Sequence, residues 1–294
     1  MKSSLRLGVA LGAAAASLSI LFLPSVARAG EPPRADDQHF TVDPVADGAL
    51  IVGGAGFSGL LESILSTGEI TPQRPGDPNR LLPIDRIAVT QTFDPHADTI
   101  SSFGLGAAIA FGVADPLISA YRDGWDAALV DALLYAETAA VTLTVTDITK
   151  VAVRRPRPKA YAQQAALDAQ YGGPGKGPSI TDTDSSLSFF SGHAAMTGAL
   201  AATASYLAFR RSPNSWRPWL TLSAGVALTA FVSVERVRAG AHFPTDVIAG
   251  AMGGAVIGVL VPHLHRHESE SPSLVVGCGP APGGGGLLTL HGVF

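Results

Sequence analysis

Residues 185–209 read SSLSFFSGHAAMTGALAATASYLAF, a serine-rich turn running into an alanine-rich segment with no charged residue. A run of this length exceeds an ordinary strand, and its Ala, Leu and Gly content with few aromatics suits close packing of one helix on another. The same pattern recurs at 99–120, 126–148, 218–234 and 246–264. Turn signals separate the segments: Arg122-Asp123-Gly124, the Pro/Gly-rich stretch 172–178, Arg211-Ser212-Pro213-Asn214, and Gly240. The fold class predicted is therefore all-α, a multi-helix bundle with no internal repeat.

Composition narrows the setting. Of 294 residues, 47% are hydrophobic and only 15% charged, against about 25% charged in average soluble domains. The formal net charge of -4 argues against a nucleic-acid partner. Cys278 is the single cysteine, so no intrachain disulfide forms. The segment 246–264 carries no charge after Asp246, and about 18 helical residues cover roughly 27 Å, enough for a hydrocarbon core. Asp126, Asp131, Glu137 and Asp147 in 126–148 weigh the other way unless they face a protein interior. An integral membrane bundle is the leading reading and a soluble bundle the alternative.

The N-terminus has the layout of a secretory signal: Lys2 and Arg6, an uncharged run from Leu7 to Val26, then Ala27-Arg28-Ala29 before Gly30. Cleavage is expected after Ala29; an uncleaved membrane span is the competing reading. Residues 30–47 read as an exposed polar leader. Gly54, Gly56 and Gly59 imitate a dinucleotide fingerprint, but no βαβ unit surrounds them, so a glycine-lightened helix packed on another helix is expected. After His267 the chain turns Gly- and Pro-rich, with the β-prone runs SLVVG and LLTLHGVF suiting a small hairpin or a disordered end. His263, His265 and His267 alternate, which is poor helical spacing for a shared metal, and a solvated helix end is expected there.

Three stretches carry chemistry. Lys150-Val-Ala-Val-Arg-Arg-Pro-Arg157-Pro158 offers a point charge and a guanidinium fork, both suited to phosphate. Ser191-Gly192-His193 stands at a helix start, where free N–H groups favour an anion. Glu235-Arg236 is followed by His242 and Asp246, whose spacing of four brings carboxylate beside imidazole on a helical turn. Each alone has a bland explanation as a basic helix end, a serine cap or a helix-start pairing. Jointly, all three put cation, donor or histidine at ends of apolar helices that an up-down bundle gathers on one face.

These stretches resemble the signature of the type 2 phosphatidic acid phosphatase (PAP2) and vanadium haloperoxidase superfamily: Lys-x(6)-Arg-Pro, Pro-Ser-Gly-His and Ser-Arg-x(5)-His-x(3)-Asp. The resemblance implies a PAP2-type bundle in which Lys150, Arg157 and Arg236 bind the phosphoryl group with help from Ser191 and Gly192. It makes His193 the general acid, His242 the nucleophile that becomes phosphohistidine, and Asp246 its orienting partner, with no metal and no cofactor. Phe190 replaces the family's usual proline, and Glu235 its usual serine, where pairing with Arg236 would weaken phosphate binding.

The expected organisation is a signal peptide at 1–29, an N-terminal extracytoplasmic segment with one helix at 30–98, the phosphatase bundle at 99–268 and a tail at 269–294. The expected function is an envelope lipid phosphate phosphatase acting on a phosphomonoester or diphosphate, in the inner membrane with its site facing the periplasm. A soluble periplasmic acid phosphatase acting on small phosphate esters is the near alternative. A haloperoxidase shares the motifs through vanadate, and a catalytically silent binder of anionic lipid headgroups is the reading from another class.

Overall fold

A computed structural model describes residues 40–68 and 71–266, together with the backbone of 274–280 and 286–292. The signal segment, its cleavage site and His267 lie outside the described residues. Among the described residues eight α-helices follow in order: α1 (Pro44–Ser66), α2 (Pro83–Thr90), α3 (Ala97–Asp123), α4 (Trp125–Val153), α5 (Pro158–Gln170), α6 (Gly192–Arg211), α7 (Arg217–Arg238) and α8 (Pro244–Leu264). The five segments read as helices are α3, α4, α6, α7 and α8. The 30–98 region, expected to hold one helix, holds α1, a 3-10 turn at Pro78–Arg80 and α2, while α5 stands where a connecting loop was expected. Strands β1 (Leu274–Pro280) and β2 (Gly286–Gly292) pair antiparallel, the hairpin among the two endings anticipated for the tail.

Helix α6 is the hub, packed against α3, α4, α7 and α8. Its closest neighbour is α8, and small residues are the reason. A Cβ on Gly250, Gly254 or Gly258 would lie 2.6, 1.9 or 2.1 Å from the carbonyl oxygen of Ser191, Ala195 or Ala199. Only a bare glycine face lets the two backbones approach this closely, as in small-residue seams between membrane helices.

Helices α1, α3, α7, α8 and the α4 segment are long and apolar enough to cross a membrane. Their outward faces carry Val52, Phe103, Val113, Leu129, Met252 and Val256, all largely exposed. So much outward apolar surface belongs against lipid, and the chain is a membrane protein. Of the carboxylates that weighed against a membrane reading, Asp131, Glu137 and Asp147 are buried, while Asp126 is exposed at the start of α4. Asp131 accepts from Arg211 Nη2 at 2.6 Å and Ser119 Oγ at 2.6 Å, and Asp115 accepts from Arg217 Nη2 at 2.7 Å and Tyr135 Oη at 3.0 Å. Helix α1, given no spanning role by the sequence reading, packs on α4 with Gly54 against Thr144, whereas Gly56 and Gly59 face open space.

The leader is not wholly exposed. From Phe40 onward it joins the core, because the Phe40 ring packs on Tyr206 at 6.3 Å and Thr41 N–H donates to His265 C=O at 2.8 Å. At the end of α8, His263 is exposed as expected, with Nδ1 3.0 Å from Tyr206 Oη, whereas His265 is tucked between α1 and α4 rather than solvated.

Candidate active site

The ends of α4 and α7 and the starts of α6 and α8 meet, as the bundle reading anticipated. Ser191 caps α6 with its Oγ toward Ala194 N–H, while its own N–H donates to Asp246 C=O at 3.1 Å, tying the two helix starts together. The first-turn N–H groups of Gly192 and His193 have no acceptor within the helix, as at any helix start. Lys150 reaches this point from α4: a Cβ on Gly192 would lie 3.9 Å from its Nζ. Gly240 makes the turn from α7 to α8 at φ +66°, where a Cβ would enter the Phe93 ring.

Each cation is held by carboxylate or carbonyl oxygen. Lys150 Nζ stands 3.7 Å from Asp147 and 3.9 Å from Glu62. Arg157 Nε donates to Asp184 C=O at 2.8 Å, and its Nη2 pairs with the Asp184 carboxylate. Arg236, buried at the end of α7, pairs with Asp98 and leaves its Nε without a hydrogen-bond partner. An orphaned guanidinium N–H is costly unless something accepts from it, and a phosphoryl oxygen is such an acceptor.

His242 is 2% exposed and its Nδ1 lies 2.6 Å from Ser188 C=O. A carbonyl only accepts, so Nδ1 carries the proton and Nε2 keeps its lone pair. Burial, reinforced by the positive fields of Arg157 and Arg236, holds this imidazole well below the usual histidine range, so it is neutral at pH 7. His193, in the first turn of α6, has Nε2 3.3 Å from Ser102 Oγ. Burial first, then Arg236, brings its pKa down to about 4, with Lys150 and Arg157 adding to the effect. The same three cations thus act on both histidines.

Two expected pairings take another form. Asp246 makes no hydrogen bond or ion pair with His242. Its carboxylate accepts from Ser188 Oγ at 2.5 Å, Phe243 N–H at 2.9 Å and Arg155 Nη1 at 2.5 Å. Ser188 therefore links them, its hydroxyl on Asp246 and its carbonyl on His242. The reason is geometric: Asp246 sits at the third position of α8 with its carboxylate turned back onto the Phe243 N–H, while His242 lies before the helix begins. Glu235 does not pair with Arg236 either; it accepts from Arg238 Nη1 at 2.8 Å, which leaves Arg236 to Asp98. Phe190 is buried in the turn, its ring edge-on to Phe189 at 6.1 Å.

Sequence reasoning passed over Ser188, Arg155 and Asp85. Arg155 bridges Asp246 to Asp85, 2.8 Å from Asp85 Oδ2, and lies over the Phe243 ring at 4.0 Å. Asp85, fully buried in α2, also accepts from Thr245 Oγ1 at 2.7 Å. Arg155 stood in plain view within the basic run, whereas nothing local marks Asp85.

Beside the site, α6, α7 and α8 wall a cavity of about 730 Å³, lined by apolar groups such as Val226, Ala230, Val234, Ile248 and Met252 together with Arg238 and Pro244.

The PAP2 superfamily profile matches residues 131–270. No curated protein matches the chain. Among solved structures, a transmembrane PAP2-type phosphatidylglycerolphosphate phosphatase from Bacillus subtilis aligns with 74% of this chain and 96% of its own, at 20% identity and a TM-score of 0.42.

Proposed function

We propose that this chain, whose residues 131–270 carry the PAP2 superfamily match, is a membrane phosphatase that hydrolyses a lipid phosphate through a phosphohistidine. What supports the reading above all is that Lys150, Arg157 and Arg236 act together on two imidazoles, one of which presents a free Nε2. In the proposed reaction, the His242 Nε2 lone pair attacks phosphorus and the P–O bond to the lipid breaks. His193 gives its proton to the departing oxygen. Water then attacks the phosphohistidine, His193 takes its proton, and inorganic phosphate leaves as His242 recovers its lone pair. The three cations and the α6 N–H groups stabilise the charge that grows on the equatorial oxygens, chiefly by being in place beforehand.

An anionic substrate also suits two imidazoles that burial and nearby cations keep neutral. Burial and the three cations, only partly offset by Asp98, disfavour protonated His193; a phosphoryl dianion adds negative charge beside it and readies the acid. The apolar cavity beside Arg238 and Pro244 suits the hydrocarbon part of a lipid. The exposed apolar helices favour this reading over a soluble acid phosphatase. The signal layout at the N-terminus supports a periplasm-facing site in the inner membrane.

The test is phosphate release by detergent-solubilised protein from phosphatidate, a prenyl diphosphate and a small ester, with no metal added. Turnover of a lipid substrate that disappears in His242→Ala is the expected result. Headgroup binding without turnover in the wild type favours the silent binder and sinks the enzyme.

A further inference from the structure

Asp47, Glu137 and His265 come from α1, α4 and the end of α8, far apart in sequence, and bring one ligand atom each to a common point. His265 follows α8 while Asp246 opens it, and about 20 residues of helix at 1.5 Å each span roughly 30 Å. The cluster therefore lies at the end of α8 remote from the phosphoryl site.

Three details distinguish it from a chance gathering of acids. His265 Nδ1 lies 2.8 Å from Val261 C=O, so that nitrogen is the N–H donor, as the outer nitrogen of a metal-bound histidine usually is. In the neutral ring its Nε2 therefore carries a lone pair, facing Asp47 Oδ1 at 3.3 Å and Glu137 Oε2 at 3.4 Å. Three acceptors around one point repel each other unless a cation lies between them or the ring takes up a proton. Second, Glu137 is 6% exposed and its Oε2 has no hydrogen-bond partner, although it is aimed at this point. The other oxygen of Asp47 is already held by Asp43 N–H at 2.8 Å, which fixes the carboxylate's direction. Third, the two distances from His265 fit an ion, and all three ligand atoms lie within 4.8 Å of one another. Ligands about 2.0–2.1 Å from a tetrahedral centre stand about 3.4 Å from each other.

We infer that Asp47, Glu137 and His265 form a binding site for a divalent transition cation of the zinc type, clamping α1, α4 and the end of α8. One imidazole nitrogen with two carboxylate oxygens is a donor set that such ions accept, and a water completes the tetrahedron. The site is structural in effect. It locks the chain entering α1 to the chain leaving α8, next to the Phe40–Arg266 bridge. It takes no part in the proposed phosphoryl chemistry and stands or falls independently of it. The rival arrangement is a protonated His265 shared between the two carboxylates, with no ion.

The experiment uses full-length protein without a histidine tag, stripped with chelator and titrated with ZnCl2 while heat of binding and thermal midpoint are followed. One equivalent of zinc per chain is expected, with a rise of about 5–10 °C at a hundredfold excess over Kd. Glu137→Gln and His265→Ala lose that response, whereas His263→Ala keeps it. Because either loss variant can fail to fold, Co2+ is also added to the stripped wild type, where visible absorption of tetrahedral intensity is expected. No stoichiometric zinc in the wild type, or equal zinc response in His265→Ala, overturns the site in favour of the protonated ion pair.

Discussion

Replacing Ser188 by alanine tests whether Asp246 reaches His242, the proposed nucleophile, through an intermediary. The Ser188 hydroxyl donates to the Asp246 carboxylate at 2.5 Å and its carbonyl accepts from His242 at 2.6 Å, all three residues being buried. A hydrogen bond to a charged acceptor contributes about 1.5–3 kcal/mol. At about 1.36 kcal/mol per decade of rate, its full loss from the transition state corresponds to roughly ten- to hundredfold. Alanine keeps the carbonyl, and the Ser188 N–H still donates to Arg155 C=O at 3.0 Å, so the lower end, about tenfold in kcat with little change in KM, is expected. Asp246→Asn, which also loses the charge facing Arg155, should cost more. The decisive measurement is the double variant, assayed by phosphate release from a lipid phosphate in micelles. If Asp246 acts through Ser188, the double variant falls within about threefold of Asp246→Asn alone. Losses that multiply mean that the two residues act separately, and the relay is refuted.

His193→Ala should lower kcat by about 10²–10⁴ on an alkyl phosphate but much less on p-nitrophenyl phosphate, whose leaving group needs no proton; equal losses on both remove His193 from the acid's role. The pKa of about 4 for His193 places its protonated form on the acid side, so kcat/KM on an alkyl phosphate should climb as pH falls from 7 toward 5, and an optimum above pH 8 contradicts this. Since that folded value lies below the ordinary 6.5, the unfolded chain binds the extra proton: the His193 contribution to stability is complete above pH 6.5 and declines as pH falls toward about 4, readable as a falling thermal midpoint that His193→Gln flattens. Gly254→Ala forces a Cβ to within 1.9 Å of Ala195 C=O, and separating α6 from α8 should cost about 1–3 kcal/mol or more, lower the thermal midpoint and depress activity together; a normal midpoint contradicts the seam.

The bundle was legible because long uncharged segments leave helix as the economical reading, and the cations and histidines were legible because their spacing lies within short stretches of chain. The supports of the site were less so. Asp85 belongs to a short helix more than sixty residues upstream of Arg155, and nothing in PIDRIAVT marks a buried carboxylate. The Asp246–His242 pairing was inferred from helical spacing, but His242 precedes the helix, so that spacing does not govern where its ring points. Glu235 was read against its nearest neighbour in sequence, whereas one helical turn brings Arg238 beside it. The partners of Glu137 lie on α1 and beyond α8, which only the folded bundle places together.

The backbone seam between α6 and α8 has a bearing on how this protein can vary. Because the spacing of the α6 and α8 starts depends on glycine, alanine and main-chain oxygen, it does not depend on which large side chains clothe the outer faces. Substitutions along α1, α3 and α7 can therefore retune the fit to membrane thickness or hydrocarbon tail while the reacting groups keep their separation. Diversification of the lipid-facing surface and preservation of the chemistry are thereby uncoupled within one small bundle.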